Sequence, residues 1–207
     1  MAEENKPIEI KQPHVLVVEG EDDVRFFEEL AKHLGLRDIQ ILSAGGKTKL
    51  PLFLRVLPLT PDFSLVDYLS VIRDADTNPD GAFESVCGAL DKAGLPVPKQ
   101  LLVQTDTKPS VAVMILPGDN RQGMLEDLCL EAIAQDPAML CVTQYFECLE
   151  KQKIARPDDM AKAKVHVFLA SRKKPDKRLG EAAQANYWPM DSNTFDQVKA
   201  FLQRIGS

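Results

Sequence analysis

The sequence predicts an α/β fold in which a mostly parallel central sheet is flanked by helices. Short, nearly all-apolar runs alternate along the chain with segments whose apolar residues recur every three or four positions. Uninterrupted apolar runs are typical of strands that are buried on both faces of a sheet. The regular alternation of strand and helix indicates a parallel sheet with helices packed on it.

The first strand is predicted at residues 14–19, where HVLVVE is followed by Gly20. A helix comes next, because apolar residues recur at helical spacing from Val24 to Leu34. A second short strand is predicted at residues 39–42, and it leads into the loop SAGGK. These three elements form the first strand–helix–strand unit of the sheet.

Residues 48–59 are predicted to form a helix that ends at the prolines that follow. The next strand is predicted at residues 65–72, and the turn NPDG leads from it to a helix at about 82–93. LLVQT at 101–105 and VAVMILP at 111–117 are predicted as two more strands, joined by a short polar loop. The expected sheet therefore has five strands.

Beyond Gly123 the sequence is mainly helical, with a last helix predicted at about 193–204. The chain has 207 residues, of which 44% are hydrophobic and 27% charged, and this suits one globular domain with a sizeable core. We expect a single domain over residues 1–207. Residues 13–118 form its α/β core, and about 119–207 form a mainly helical extension packed on that core.

Composition excludes several classes of protein. The longest apolar stretches are far shorter than the roughly 20 residues that a membrane-spanning helix needs. The polar start of the chain does not have the character of a signal peptide. The four cysteines are widely spaced and contain no CxxC pair, which favours reduced, buried thiols over disulfides or a zinc site. We therefore expect a cytoplasmic protein.

The net charge of −6 gives the chain no general attraction to nucleic acid. Basic residues nevertheless gather in the segment RKKPDKR, which contains Arg172, Lys173, Lys174, Lys177 and Arg178. A local basic stripe, helped by metal ions, is enough for an acidic protein to bind a polyanion. The segment is either a surface that contacts phosphates or a solvated linker.

Carboxylates follow two of the predicted strands. Glu19 ends the first strand and Asp23 lies in the first turn of the next helix, while Asp74 and Asp76 end the third strand. The carboxyl ends of parallel strands meet at one edge of a sheet, so we expect these four side chains to converge. Oxygen ligands at this density suit Mg²⁺ or Mn²⁺, and each carboxylate taken singly is also consistent with a solvated strand end.

VVEG at the end of the first strand and DAD at the end of the third resemble the Toprim domain of topoisomerases, DnaG-type primases and OLD-type nucleases. The spacing Glu19-Gly20-x-x-Asp23 is most similar to the OLD-type form, and the size of the chain resembles that of small stand-alone Toprim-like proteins. The resemblance covers roughly residues 13–118. It implies a three-layer Toprim/Rossmann-like fold.

The resemblance also implies roles for individual residues. Glu19 would be a metal ligand or general acid/base, Asp74 and Asp76 would be metal ligands, and Asp23 would join them in a nuclease-like variant. Topoisomerase and primase activities are not expected, because neither a domain that supplies a catalytic tyrosine nor a zinc-binding module is evident. The implied function is phosphodiester chemistry on DNA or RNA that depends on Mg²⁺ or Mn²⁺.

Other residues are candidates for supporting roles. Asp119, after the last predicted strand, is a candidate outer metal ligand, and Glu126 or Asp127 is either a further ligand or a partner of the helix dipole. Lys47 follows two glycines in a loop that either binds a phosphate or is a simple turn. Arg73 either contacts phosphate or forms an outward ion pair.

Two alternatives remain open. The first is a non-catalytic Toprim-like module that binds nucleic acid or a protein partner, including a second copy of the chain. The second is a receiver-like domain that accepts phosphate on an aspartate, for which Lys108-Pro109 and the acidic residues after the first strand are the matching features. The DAD motif has no place in a receiver domain.

Overall fold

The computed structural model describes residues 8–205 of the chain. Within this range the α/β prediction is confirmed, and the sheet has four strands that are all parallel, in the spatial order β2-β1-β3-β4. The strands are β1 (His14–Val18), β2 (Ile39–Ser43), β3 (Tyr68–Asp74) and β4 (Ser110–Leu116). The two acidic motifs therefore follow the two central strands, which are direct neighbours.

Helices cover both faces of the sheet, and eight of them lie within the described residues. They are α1 (Glu21–His33), α2 (Leu50–Val56), α3 (Pro79–Lys92), α4 (Leu125–Ala132), α5 (Ala138–Lys151), α6 (Met160–Ala170), α7 (Leu179–Gln184) and α8 (Asp196–Ile205). No helix in residues 8–205 is long and apolar enough to cross a membrane. The short 3-10 turns are Leu57–Leu59, Phe63–Leu65 and Asn193–Phe195.

Alternate residues of β1 divide the hydrophobic core into two layers. Leu16 and Val18 face a layer that contains α1 and the helices from α4 onward. Val15 and Val17 face the opposite layer, which is formed with α2 and α3. Because side chains alternate between the two faces of a strand, one apolar run fills both layers. The helices after residue 118 thus cover one face of the sheet together with α1, while the division into core and extension stays a prediction.

The strand prediction at residues 101–105 is wrong, and the strand at 110–116 is the fourth along the chain. The segment runs beside β4 and donates two backbone hydrogen bonds to it, from Leu102 to Val113 (2.9 Å) and from Thr105 to Val111 (3.0 Å). Leu102 has a φ of 64°, which breaks the extended conformation after the first of these bonds. The segment covers the edge of the sheet without joining the ladder.

Other element boundaries shift by a few residues. The strand predicted at 65–72 starts at Tyr68, because Asp62 adopts a left-handed conformation and a 3-10 turn occupies Phe63–Leu65. The helix predicted at 82–93 already starts at Pro79, where the Asn78 side chain accepts a hydrogen bond from the backbone of Gly81 (3.0 Å). These shifts do not move Asp74 away from the end of β3.

The cysteines are free thiols, as expected, but they are not all buried. Cys129 is buried and Cys87 is partly buried, whereas Cys141 and Cys148 are exposed on α5. Among the residues of α5, only Val142 is fully buried. The expectation of four buried thiols assumed that this amphipathic helix turns its cysteines inward, and it is wrong for two of them.

Candidate acidic site at the strand ends

Glu19 is a buried carboxylate at the end of β1. The register of β1 and β3 pairs Val17 with Val71, and two further residues bring Glu19 level with Arg73. The Glu19 side chain is only 16% exposed, and its Oε1 lies 3.5 Å from Nε of Arg73. This contact is an ion pair but not a well-formed hydrogen bond. Both atoms are buried, and neither has a hydrogen-bond partner. Glu19 therefore retains an unused acceptor inside the protein.

The surroundings of Glu19 favour its neutral form. Burial raises the pKa of Glu19 above its ordinary value, and the charge of Arg73 opposes this effect without cancelling it. The negative charge of Asp76 raises this pKa further, while the backbone amide of Asp74 and the ammonium of Lys47 lower it. Both aspartates of the motif that follows β3 thus affect the pKa of Glu19, Asp74 through its backbone amide and Asp76 through its charge.

Asp74 is the most deeply buried of the predicted ligands. It is the last residue of β3, and its Oδ1 accepts a hydrogen bond from the backbone amide of Leu125 at the start of α4 (3.0 Å). Burial raises the pKa of Asp74 well above its usual range, and the charges of Asp23, Glu19 and Glu126 raise it further. The negative charges of carboxylates that follow β1 or lie in α1 and α4 thus all act on Asp74.

Asp23 belongs to this group and also caps α1. Its Oδ2 accepts a hydrogen bond from the backbone amide of Gly20 (2.8 Å), which fixes the turn between β1 and α1. Burial raises the pKa of Asp23 to about 6, with further contributions from Glu19 and Asp22. Capping alone lowers this pKa, so the net rise is due to the buried, acidic surroundings.

Two residues of the helical layer complete the site. Glu126, in the first turn of α4, has a pKa raised by burial and by the charge of Asp23. Lys162 of α6 forms a salt bridge with Asp159 (3.4 Å). Burial lowers the pKa of Lys162, but the charges of Glu126, Asp159 and Asp74 raise it overall. The sequence marked Glu126 as one of two alternatives, and nothing in it marked Lys162.

A backbone bridge holds the loops of the site together. Asp76 and Gly123 exchange two backbone hydrogen bonds, of 2.9 and 2.8 Å, which join the loop after β3 to the start of α4. Asp76 has a φ of 51° and Gly123 a φ of 130°. A Cβ atom at Gly123 would lie 2.6 Å from Oδ2 of Asp127, so this position requires glycine. The bridge explains why Leu125 can reach Asp74.

Lys47 lies at the exposed rim of the site. Its ammonium is 2.8 Å from Oδ2 of Asp76, and both side chains are at least one-third exposed. The preceding glycine, Gly46, donates its backbone amide to the carbonyl of Glu19 (2.7 Å), which fixes the loop beside β1. The loops after β1, β2 and β3 therefore meet, and they bring Lys47 and Asp76 together with Glu19.

Asp119 and Arg172 have other partners. Asp119 accepts a hydrogen bond from Gln197 of α8 (3.1 Å), and its role as an outer ligand stays a prediction. Arg172 makes two hydrogen bonds to Asp136 (3.1 and 3.2 Å) and lies over the ring of Phe168 (4.2 Å). This side chain anchors the basic segment to the helical layer.

The rest of the basic segment is accessible. Lys173, Lys174 and Arg178 are exposed, and Lys177 is partly exposed. Burial raises the pKa of Asp22 in the first turn of α1, and the charge of Arg178 opposes this effect. Arg178 therefore lies near the first turn of α1. One end of the basic segment is thus next to the acidic site. Phosphate contact by these residues stays a prediction.

Residues 13–207 match the family described as "Protein of unknown function (DUF3226)". The chain belongs to this family. No curated protein matches it.

Three solved structures of the C-terminal region of the OLD protein from Xanthomonas campestris pv. campestris are similar to this DUF3226 chain. They were phased with mercury, platinum and iodine, and their sequences are 14%, 15% and 14% identical to it. Each alignment covers 94% of this chain, and covers 96%, 94% and 96% of the respective other chain. The TM-scores are 0.47, 0.47 and 0.48.

The donor set of this DUF3226 chain fits a hard divalent cation with much of its water retained. Among residues 8–205, no three or more His, Cys, Asp or Glu side chains are arranged to hold a metal ion directly. Mg²⁺ in proteins often has only one or two carboxylate ligands and keeps several waters. The carboxylates of Glu19 and Asp74 suit this mode, since Glu19 has an unused buried oxygen. Asp23 and Asp76 lie beside them.

The metal-free protein is expected to lose stability as the pH rises from about 5 to 7.5. The pKa of Asp23 changes from 3.8 to about 6 on folding, so the folded state binds this proton more tightly than the unfolded state does. The stabilisation is complete below the unfolded pKa and is lost as the pH rises through the folded pKa. For Asp23 alone the whole effect, from below pH 3.8 upward, is roughly 3 kcal/mol, of which roughly 1–1.5 kcal/mol is lost between pH 5 and 7.5. Urea unfolding in EDTA at several pH values measures it.

The Asp23→Asn variant is the control for this pH dependence. The amide oxygen of Asn is able to accept the hydrogen bond from Gly20, but the group does not titrate. Its free energy of unfolding should therefore change less between pH 5 and 7.5 than that of the parent protein. A parent protein that becomes more stable over this range would contradict the prediction.

Proposed function

We propose that the protein performs divalent-metal-dependent phosphodiester chemistry on nucleic acid, with Mg²⁺ or Mn²⁺ held by Glu19, Asp23, Asp74 and Asp76. The observation that carries this proposal is the position of Glu19 and Asp74. They lie at the ends of neighbouring central strands and are largely buried. Burial raises the pKa of both, the charge of Glu19 raises that of Asp74 further, and one oxygen of Glu19 has no hydrogen-bond partner. Arg73 is the one salt-bridge partner of Glu19 among the described residues, and Asp74 has none there, so a divalent cation would supply the positive charge that the pair still needs.

The cost of this arrangement supports a functional role. Burying carboxylates together destabilises the folded state. The hydrogen bonds that Asp23 and Asp74 accept do not remove this cost, because the pKa of each stays raised. Strained electrostatics of this kind is concentrated at functional sites. When bound, a divalent ion neutralises the carboxylates, polarises a phosphate oxygen and promotes attack by water.

Cations of the chain itself surround the site. Arg73 stays next to Glu19 and limits the excess negative charge, and Lys162 does the same beside Asp74 and Glu126. Lys47 is exposed at the rim, where release from Asp76 would allow it to contact a phosphate. The basic segment that ends at Arg178 would hold a neighbouring part of the nucleic-acid backbone.

A cleavage assay tests the proposal. The purified protein is incubated with single-stranded, duplex and supercoiled DNA and with RNA, in Mg²⁺ or in Mn²⁺, with an EDTA control. We expect cleavage of at least one substrate that depends on the metal. Absence of cleavage in all conditions, or equal cleavage in EDTA, would remove the enzymatic function.

A non-catalytic binding module is the second candidate, and a specific observation favours it. Asp23, Asp74 and Asp76 already have partners in Gly20, Leu125 and Lys47, and no ready group of three ligands exists among the described residues. Such a module should bind nucleic acid without turnover, with an affinity that falls as the salt concentration rises. Fluorescence anisotropy with a labelled oligonucleotide, with and without Mg²⁺, distinguishes the two functions.

The receiver-like alternative finds no support in the position of its key lysine. Lys108 precedes β4, and its ammonium is 2.7 Å from Asp67, which precedes β3. Both residues therefore lie at the opposite edge of the parallel sheet from Glu19 and Asp74. A lysine at that edge cannot reach a phosphate on the acidic site.

A further inference from the structure

An exposed apolar stripe runs along the outer side of α2 and the 3-10 turn that follows it. Leu52, Val56 and Leu59 are 53%, 41% and 80% exposed. Spacings of four and three residues place them on one face of the helix, while Leu50 and Leu54 on the other face are buried in the core. The three exposed side chains are therefore fixed in position by a helix that is itself firmly packed.

Two basic residues border this stripe. At about 100° per residue, Arg55 lies on one side of the three apolar side chains and Lys49 on the other. No salt bridge of the described residues involves Lys49 or Arg55. Residues 44–61 contain three basic and no acidic residues, in a chain whose net charge is −6. We name these five residues, Lys49, Leu52, Arg55, Val56 and Leu59, the α2 ridge.

We propose that the α2 ridge is a docking site for an amphipathic helix of another protein, in which acidic residues flank an apolar stripe. An apolar stripe between two cations is complementary in shape and charge to an apolar stripe between carboxylates. Docking would remove three large apolar side chains from water and give Lys49 and Arg55 the partners that they lack. Contiguous exposed apolar surface of this kind is characteristic of interaction sites.

The charges favour this occupant over two others. In a symmetric pair of α2 ridges the cations of one copy would face those of the other, and like charges across an interface oppose binding. An anionic bilayer would have to approach a protein with a net charge of −6, and three apolar side chains give only a shallow anchor. A single helix contacts the ridge alone, so the rest of the acidic surface interferes less.

A pair of synthetic peptides tests the proposal with the full chain. The first is an amphipathic peptide of about 18 residues, long enough for partial helicity, with leucines on one face and glutamates on both sides of them. The second is identical except that lysines replace the glutamates. Fluorescence anisotropy should show that the acidic peptide binds about tenfold more tightly than the basic one, because only its charges complement the ridge.

Substitutions on the protein locate the binding site. Leu59→Ser should weaken binding of the acidic peptide about fivefold or more, and Leu140→Ser, at an exposed leucine on α5 (65% exposed), should leave it unchanged. The double substitution Lys49→Glu/Arg55→Glu should reverse the preference between the two peptides. All substituted side chains are exposed, so the variants should keep the circular dichroism spectrum and melting temperature of the parent protein.

Several outcomes would overturn the proposal. Equal affinity for the two peptides, or binding that Leu59→Ser does not weaken, excludes recognition by the α2 ridge. Self-association in light scattering that is lost in Leu59→Ser identifies a second copy as the occupant. Binding to vesicles of phosphatidylserine and phosphatidylcholine without binding to the acidic peptide identifies a lipid surface.

Discussion

Asp74→Asn is expected to abolish metal-dependent cleavage while making the metal-free protein more stable. The loss of activity should be about 100-fold or more, because the substitution removes a charge that the proposed metal site requires. The gain in stability should be roughly 1–3 kcal/mol, because the same charge is buried among Asp23, Glu19 and Glu126. A residue with a purely structural role would show the opposite change in stability.

The single hydrogen bond that Asp74 accepts allows the loss of activity and the gain in stability to be measured separately. Its Oδ1 accepts one hydrogen bond, from the backbone amide of Leu125, and the amide oxygen of Asn is able to accept it equally. Urea unfolding in EDTA measures the stability, and titration with Mg²⁺ should stabilise the parent protein more than the variant. Asp106→Asn, in an exposed loop away from the site, is the matched control and should change neither property. A variant that cleaves at the parental rate would contradict the prediction.

The contact between the two acidic motifs could be predicted because it depends on local features. HVLVV and the apolar part of β3 are buried on both faces, and such strands occupy the centre of a parallel sheet. The carboxylates that follow these strands then lie at the same edge of the sheet, independently of where the other elements pack. The same rule accounts for the position of Lys47, whose loop follows the neighbouring strand β2, although the sequence predicted only a phosphate contact or a turn for it. The salt bridge between Lys47 and Asp76 could not be predicted.

Lys162 could not be predicted because its position depends on the packing of distant helices. It lies in α6, which packs against α4, and this packing brings Lys162 within range of the charges of Glu126 and Asp74. A lone lysine in a helix has no pattern that distinguishes it from a solvated side chain. The ion pair of Arg172 could not be predicted for the same reason, because its partner Asp136 lies 36 residues away in the chain. The charge run predicted either a phosphate-contact surface or a solvated linker, and in the structure its first residue anchors the segment to the helical layer.

The incorrect strand prediction at residues 101–105 shows that an apolar run alone does not determine whether a segment joins a sheet. LLVQT has the composition of a strand and lies where a fifth strand would lie, beside β4. The left-handed conformation of Leu102 and the polar turn at 106–108 limit its pairing to two donated hydrogen bonds. Leucine rarely adopts this conformation, so nothing in the sequence marks the break.

Gly180→Ala is expected to destabilise the protein by about 2–3 kcal/mol, which is near the upper end for overpacking in a core. Gly180 lies in α7 where this helix crosses α1, and a Cβ atom there would lie 2.3 Å from the carbonyl oxygen of Asp22. The nearest obstacle is backbone, so α7 must move away from α1 as a whole. The melting temperature should fall by roughly 4–10 °C in a domain of this size.

Gly88→Ala is the same chemical change at a site with the opposite expectation. Gly88 lies inside α3, is exposed, and has no atom within 4 Å of the position where a Cβ would be added. Alanine there should stabilise the protein by about 0.4–1 kcal/mol, because it lowers the entropy of the unfolded chain. Differential scanning calorimetry of both variants should show shifts of opposite sign. Shifts of the same sign would mean that helix propensity, and not the close packing of α7 on α1 beside Asp22 and Asp23, governs the effect at Gly180.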